Sequence, residues 1–202
     1  MERRRFLEVG VGLASLQLVS LWRPALARTD LAPGRQRLRD LGISVGTLPT
    51  GSHNAITDVT SVAVGHTTLI RGHGPLVKGQ GPVRTGVTAI LPHGGILSRE
   101  PVFAADLTLN GNGELTGMGP VRRTGYLGAP ILFTDTGSIG PVYDGATGYM
   151  LERDSELFRG DVVPEPVVGE TWADFLNDTA GRHVRPDHVH SALESASTGP
   201  VA

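Results

Sequence analysis

Val62-Ala63-Val64-Gly65-His66-Thr67-Thr68-Leu69-Ile70 and Arg84-Thr85-Gly86-Val87-Thr88-Ala89-Ile90-Leu91 are the two stretches that decide the fold. Both are rich in β-branched residues and alternate in part, which is strand composition. Residues 71–82 between them are rich in Gly and Pro and read as a hairpin connection or a surface loop. Pro92-His93-Gly94-Gly95 ends the second stretch. Working outward, residues 48–51 form a turn and residues 29–41 a polar arm or short helix. Residues 103–109 are expected as a strand. Ile131-Leu132-Phe133-Thr134 is another, bounded by Pro130 and by Asp135-Thr136-Gly137. Residues 162–168 form a further strand, which Pro164 and Pro166 confine to a sheet edge. Residues 142–151 read as a helix weakened by Gly145 and Gly148. Thr171 caps an expected helix with Trp172, Phe175 and Leu176 on one face. Pro186 opens a last helix with Val189, Ala192, Leu193 and Ala196 inward. Strands come first and helices later, so the fold class is α+β.

The chain has 202 residues, enough for one good-sized core in a single domain. Its net charge is -2, and Lys78 is the only lysine, so charge gives no case for nucleic acid. There is no cysteine, which excludes disulfides, thiolate metal sites and a cysteine nucleophile. The 28 glycines and 14 prolines suit short strands joined by tight turns.

Met1-Glu2-Arg3-Arg4-Arg5-Phe6-Leu7, an apolar run over residues 9–21, and Ala25-Leu26-Ala27 follow in the order of a secretory signal. Paired arginines before Phe-Leu resemble the twin-arginine type. Residues 1–27 are therefore expected to be an export signal to the periplasm, and residues 28–202 the mature part of one domain. The apolar run is too short for a stable membrane span. At the other end, Ser197-Thr198-Gly199-Pro200-Val201-Ala202 leads out of a turn into an apolar pair. The expectation is the front portion of a longer protein.

Three constellations bear on chemistry. Asn110-Gly111-Asn112-Gly113-Glu114-Leu115-Thr116-Gly117 is the densest polar cluster. Its glycines permit close backbone approach to a ligand, but Asn-Gly is foremost a turn signal, and no Gly-Lys-Ser/Thr follows to make a phosphate loop. His183, His188 and His190 surround Asp187, yet a spacing of two does not place ligands on one helix face, so a solvated helix start is preferred to zinc. Thr134-Asp135-Thr136-Gly137-Ser138 and Val142-Tyr143-Asp144 bracket a turn without Gly-x-Ser-x-Gly. No complete catalytic set assembles from these residues alone.

Six phrases in order carry a resemblance. They are Asn54-Ala55-Ile56-Thr57-Asp58-Val59 running on to Val62-x-Val64-Gly65-His66-Thr67-Thr68, then Gly81-Pro82-Val83-Arg84-Thr85-Gly86-Val87-Thr88, then residues 110–117. Phe175-Leu176-Asn177-Asp178, His183-Val184-Arg185-Pro186-Asp187-His188-Val189 and Gly199-Pro200-Val201-Ala202 complete them. Together they resemble the DmpA-type L-aminopeptidase/D-esterases, relatives of the β-peptidyl aminopeptidases, from about residue 35 to residue 202. The resemblance implies a layered α/β/β/α sandwich, incomplete here, and a precursor that cuts itself to expose an N-terminal serine nucleophile. It implies release of N-terminal residues from peptides, amides or esters, no metal or organic cofactor, and a homo-oligomer. Tyr143 corresponds to the tyrosine that donates to the oxyanion. A second donor, an asparagine, and the serine lie beyond residue 202 in relatives, so this chain alone is expected to be inactive. Many relatives carry a glutamate two residues before the tyrosine to hold the substrate ammonium; here that position is Pro141. Asp144 and Glu114 are the candidates to replace it, with Asn110 and Asn112 in the same substrate-binding phrase.

Two other readings remain open. One is a non-catalytic, truncated relative retained as a binding module or decayed. The other is an exported β-rich domain that binds a carbohydrate or other ligand through residues 110–117.

Overall fold

A computed structural model of the protein describes residues 37–173 and 175–201. The expected export signal lies outside the described residues, as does most of the 29–41 arm; residues 38–42 form turns. The two deciding stretches are strands β1 (Ala63–Arg71) and β2 (Val83–Leu91). They pair antiparallel, with Ala63 opposite Leu91 and Arg71 opposite Val83. After a short strand β3 (Val102–Phe103) come helix α1 (Met118–Thr124) and strand β4 (Tyr126–Leu127), which pairs with β3. Strand β5 (Ile131–Asp135), helix α2 (Ile139–Arg153), strand β6 (Val167–Thr171) and helix α3 (Pro186–Glu194) follow.

The main sheet runs β1-β2-β5-β6. β2 and β5 are antiparallel, whereas β5 and β6 are parallel, so α2 lies in the crossover that parallel strands require. Helices α2 and α3 pack on one face, and the α+β expectation holds. Residues directly opposite one another share a face. Gly65 with Ala89, and Thr67 with Val87, therefore point toward the helices, while His66 with Thr88 points away. Val87, Ala89, Leu132, Val142, Ala146, Val168, Val189, Ala192 and Leu193 form the buried core between these layers. A second core gathers Val121, Leu127, Ala129, Met150, Leu157 and Val167 beneath α1 and β4. The far face of β1 is open among the described residues: His66 and Thr68 are exposed, and Ile70 is 60% exposed.

Glycine weakens α2 less than its propensity suggests. A Cβ at Gly145 would stand 2.9 Å from Pro186 and 3.0 Å from Val189. The bare backbone therefore lets α2 and α3 approach closely, and the packing gained offsets the lost helix propensity. The turn before α2 is held by Asp135, which accepts from Thr85 Oγ1 at 2.6 Å, Ser138 Oγ at 3.0 Å and the Gly137 N–H at 3.1 Å. At the other end, Val64 and Ser197 exchange backbone hydrogen bonds, and Thr57 Oγ1 donates to the Gly199 carbonyl at 2.7 Å.

Four expectations need correction. The strand expected over 103–109 stops at Phe103, and Leu107 and Leu109 are each 90% exposed. The strand expected over 162–168 starts only at Val167, because the two prolines cannot pair within it; its edge position holds. No helix follows Thr171. Trp172, Phe175 and Leu176 are exposed, with Trp172 and Phe175 in edge-to-face contact at 4.8 Å. The chain here is turned inward by Asn177, which is buried and accepts the Arg84 N–H at 2.9 Å, in competition with a helical path. Helix α3 ends at Glu194, so Ala196 lies outside it, although Val189, Ala192 and Leu193 are buried as expected.

Candidate active site

Tyr143 sits in the second turn of α2. Val142 and Ala146 anchor that turn in the core, and the Tyr143 ring packs half-buried against the same cluster. Its hydroxyl has no hydrogen-bond partner among the described residues. Burial pushes its phenol above the ordinary value of 10.0, and the carboxylate of Glu165 pushes it further. The group therefore stays protonated across neutral and mildly alkaline pH and is free to donate. Asp144 follows it on the helix but lies about 100° around the axis and is exposed.

Residues 110–117 divide into a tip and a rail. At the tip, Asn110 Oδ1 accepts the Asn112 N–H at 2.9 Å, and Gly111 and Gly113 take positive φ. Both asparagines are exposed, so this half is the tight turn that Asn-Gly signals. The rail runs along the free edge of β6. The Thr116 N–H bonds to the Val168 carbonyl at 3.0 Å, and the Glu170 N–H to the Glu114 carbonyl at 3.1 Å. Thr116 Oγ1 also donates to the Pro166 carbonyl and accepts the Val168 N–H, each at 2.9 Å. The Glu114 carboxylate accepts the Leu115 N–H at 3.1 Å and remains exposed. Gly117, at φ 71°, is needed: a Cβ there would stand 2.6 Å from the Pro166 carbonyl and 2.8 Å from that of Glu165.

The rail thus clamps the segment that carries Glu165, the residue whose charge acts on Tyr143. Glu165 also closes one side of a cleft of about 230 Å³ walled by Pro120, Val121, Leu127, Val162 and Pro164. The cleft floor is fixed from below: Asp154 accepts from Ser98 Oγ at 2.7 Å and from Arg99 at 2.6 Å. These bonds hold the Asp154 carboxyl well below the usual carboxylate range, the Arg99 bond first. Of the predicted residues, the structure leaves Asn110, Asn112, Glu114 and Asp144 exposed and gives Tyr143 a charged neighbour that sequence reasoning missed. The available signal was Pro164-Glu165-Pro166, in which two fixed φ angles present one side chain rigidly.

The histidines separate. His188 Nδ1 accepts the Arg185 N–H at 3.0 Å at the start of α3, and His190 faces Tyr149 and Glu152. His183 differs from the solvated reading: its Nε2 lies 3.0 Å from the Asp178 carboxylate in a pair that is almost wholly buried. Among the described residues no three His, Asp or Glu side chains converge as a metal centre requires.

Comparison with known proteins gives consistent findings. The description of peptidase family S58 matches residues 54–202. A β-peptidyl aminopeptidase, BapA, of Sphingosinicella microcystinivorans is 45% identical over 166 residues, covering 82% of this chain and 40% of that protein. Its counterpart in Sphingosinicella xenopeptidilytica is also 45% identical, over 168 residues. This chain therefore spans about 40% of the length of the curated relatives it matches. A β-aminopeptidase structure from Burkholderia sp. superposes with a TM-score of 0.74 at 43% identity, covering 83% of this chain and 45% of that one. An L-aminopeptidase D-Ala-esterase/amidase from Ochrobactrum anthropi, described as a variant of the Ntn-hydrolase fold, superposes with a TM-score of 0.70 at 37% identity. It is covered over 46% of its length, against 83% of this chain. The architecture is thus that of the DmpA-type layered fold.

Proposed function

The chain belongs to peptidase family S58, and from that premise we propose that it carries the oxyanion-binding part of a serine aminopeptidase or amidase. In this reading the active protein includes further polypeptide, equivalent to the rest of its relatives' length, which supplies the nucleophilic serine and a second oxyanion donor. The observation that carries the reading is Tyr143: a half-buried, protonated phenol without a hydrogen-bond partner among the described residues. The serine Oγ attacks the carbonyl carbon of the first residue while its proton passes to a base such as the serine's own α-amine. The carbonyl oxygen becomes anionic and receives the Tyr143 hydrogen bond. The C–N bond then breaks, the amine leaves with the proton, and water hydrolyses the resulting ester. Substrates are peptides, amino-acid amides or esters with a free amine. The same reading includes self-cleavage, a homo-oligomer, and export to the periplasm through residues 1–27.

The test joins this chain to a relative's C-terminal part. Intact mass should show a cut in two, and a p-nitroanilide substrate should be hydrolysed. Tyr143→Phe should then lower kcat by roughly 10²–10³ with little change in KM. Loss of the Tyr143 hydrogen bond without loss of rate would refute the role. Pro141 favours the non-catalytic alternative, and a joined protein that neither cuts itself nor hydrolyses would establish it. A reporter fused after residue 27 and fractionated from cells tests export.

A further inference from the structure

We propose that Asn112 is a self-modifying site, at which the carboxamide is lost as ammonia and the tip of residues 110–117 acquires an aspartate or an isoaspartate. The inference does not depend on the peptidase reading. The reaction needs an unheld carboxamide beside a backbone nitrogen that nothing shields. The Gly113 nitrogen attacks Asn112 Cγ. A new N–Cγ bond forms, the Cγ–Nδ2 bond breaks, and the Gly113 proton departs with Nδ2 as ammonia. Water then opens the resulting cyclic imide at either carbonyl. One opening gives aspartate; the other gives isoaspartate, whose backbone runs through the former side chain.

The sequence has asparagine at Asn54, Asn110, Asn112 and Asn177 and nowhere else, and the structure grades them. Asn177 is buried; its Oδ1 accepts the Arg84 N–H at 2.9 Å and its Nδ2 donates to Thr179 Oγ1 at 3.3 Å. The nitrogen that would attack it, on Asp178, donates to the Pro82 carbonyl at 3.0 Å. Asn54 is exposed, but the next N–H, on Ala55, donates to Asp58 Oδ2 at 3.1 Å, and Ala55 adds a Cβ beside the nitrogen. Asn110 precedes Gly111, yet its Oδ1 is held by the Asn112 N–H at 2.9 Å, a bond that must open before the carboxamide can turn onto Gly111. Asn112 lacks all of these protections. It is exposed, and among the described residues neither its side chain nor the Gly113 N–H has a hydrogen bond. Gly113 carries no Cβ to crowd the attack.

The neighbours decide what the change does. A Cβ at Gly113 would stand 3.0 Å from Glu170 Oε1, so Glu170 lies against the tip, and Glu114 is next in the chain. Among the described residues neither glutamate is in an ion pair. A third carboxylate beside them is repelled by both. Isoaspartate also inserts a methylene into the backbone just ahead of Gly113 and Glu114, and the Glu114 carbonyl accepts the Glu170 N–H at 3.1 Å. The modification therefore frees this first rung of the rail. The next rung holds, because Thr116 bonds Val168 through both its backbone N–H and its Oγ1.

The experiment ages the full chain at mildly alkaline pH, once folded and once in urea. Both samples are digested and mapped by mass spectrometry, with isoaspartate labelled by an isoaspartyl methyltransferase. In urea, Asn110 and Asn112 should change at rates within about twofold of each other, since both precede glycine. In the folded chain Asn112 should stay within about threefold of its urea rate, whereas Asn110 should lag Asn112 by roughly fivefold, the worth of one net hydrogen bond. Asn54 and Asn177 should remain intact over the same time. Amide hydrogen exchange should quicken by about threefold or more at Glu170 in the aged fraction and stay constant at Val168. Asn112→Gln sets the carboxamide one carbon further from the Gly113 nitrogen, so this variant should keep its fresh exchange rate at Glu170 through the same incubation. Asn110 changing as fast as Asn112 in the folded chain would overturn the proposal. So would an Asn112 that changes only in urea, or a Glu170 exchange rate that ageing leaves unaltered.

Discussion

Replacing Gly65 by alanine tests how α3 is seated on the sheet. Gly65 has an ordinary strand conformation, so alanine meets no backbone strain and only contact matters. The new Cβ would stand 2.0 Å from the Ala192 carbonyl oxygen, 2.7 Å from the Ala196 nitrogen and 2.8 Å from Ser195 Oγ. Ordinary contact begins near 3.4 Å, so the end of α3 must rise by about 1.4 Å. Two of the three opposing atoms are backbone, and the turn is tied by Ser195 Oγ to the Ala192 carbonyl at 3.0 Å. It cannot rotate aside as a long side chain would. Lifting it draws Ala192 and Leu193 away from Val87 and Ala89. Overpacking costs roughly 1–3 kcal/mol, and rigid opposition puts this site at the upper end, about 3 kcal/mol. For a domain of this size the melting temperature should fall by about 6–12 °C. A urea melt should show a lower midpoint at unchanged m. Gly140→Ala is the control: nothing lies within 4 Å of its Cβ position, in the first turn of α2. It should be neutral or add up to about 1 kcal/mol. A Gly65→Ala protein that melts within about 0.5 kcal/mol of wild type would refute this seating of α3.

Two further outcomes are expected. Asp154→Asn should lower the melting temperature at pH 7. Because the native Asp154 carboxyl lies below its ordinary value of 3.8, the stability it confers is present above that pH and fades as pH falls below it. The variant should accordingly lose less on acidification from pH 5 to pH 2 in circular-dichroism melts, and a parallel acid limb would count against the Arg99 pairing. Phe175→Ala should change stability by less than about 1 kcal/mol, since its ring is 78% exposed; a loss of 3 kcal/mol would restore the inward-facing helix.

Much of the architecture was legible because it is local. Residues 62–70 and 84–91 carry β-branched residues in sequence, and they form β1 and β2 almost to the residue. Pro186 and the spacing of Val189, Ala192 and Leu193 likewise announce α3. What escaped depends on distant partners. Trp172, Phe175 and Leu176 have helical spacing, yet Asn177 is claimed by the backbone of Arg84. Helix α1 is short, opens on Gly117 and contains Pro120, so no periodicity marks it. At the site, Tyr143 was reachable through a family phrase. Glu165 was marked only by its flanking prolines, because the cleft it borders is assembled out of α1, β4 and the segment before β6. His183 looked solvated because Asp178, which buries it, belongs to a turn that sequence alone does not fold back.

The link between Thr57 and Gly199 sets a schedule for the newborn chain. It joins residues 142 positions apart, and α3, which seals β1, immediately precedes it. On a ribosome adding about 5–20 residues per second, the stretch from the end of β1 at Arg71 to the end of α3 at Glu194 takes roughly 6–25 s to make. Throughout that interval the apolar side of β1 and its hydrogen-bonding edge are both bare. Such late closure of a distant contact makes folding slow. A chaperone or an arrest of synthesis should therefore matter most while residues 72–185 are being added, and least once α3 has emerged.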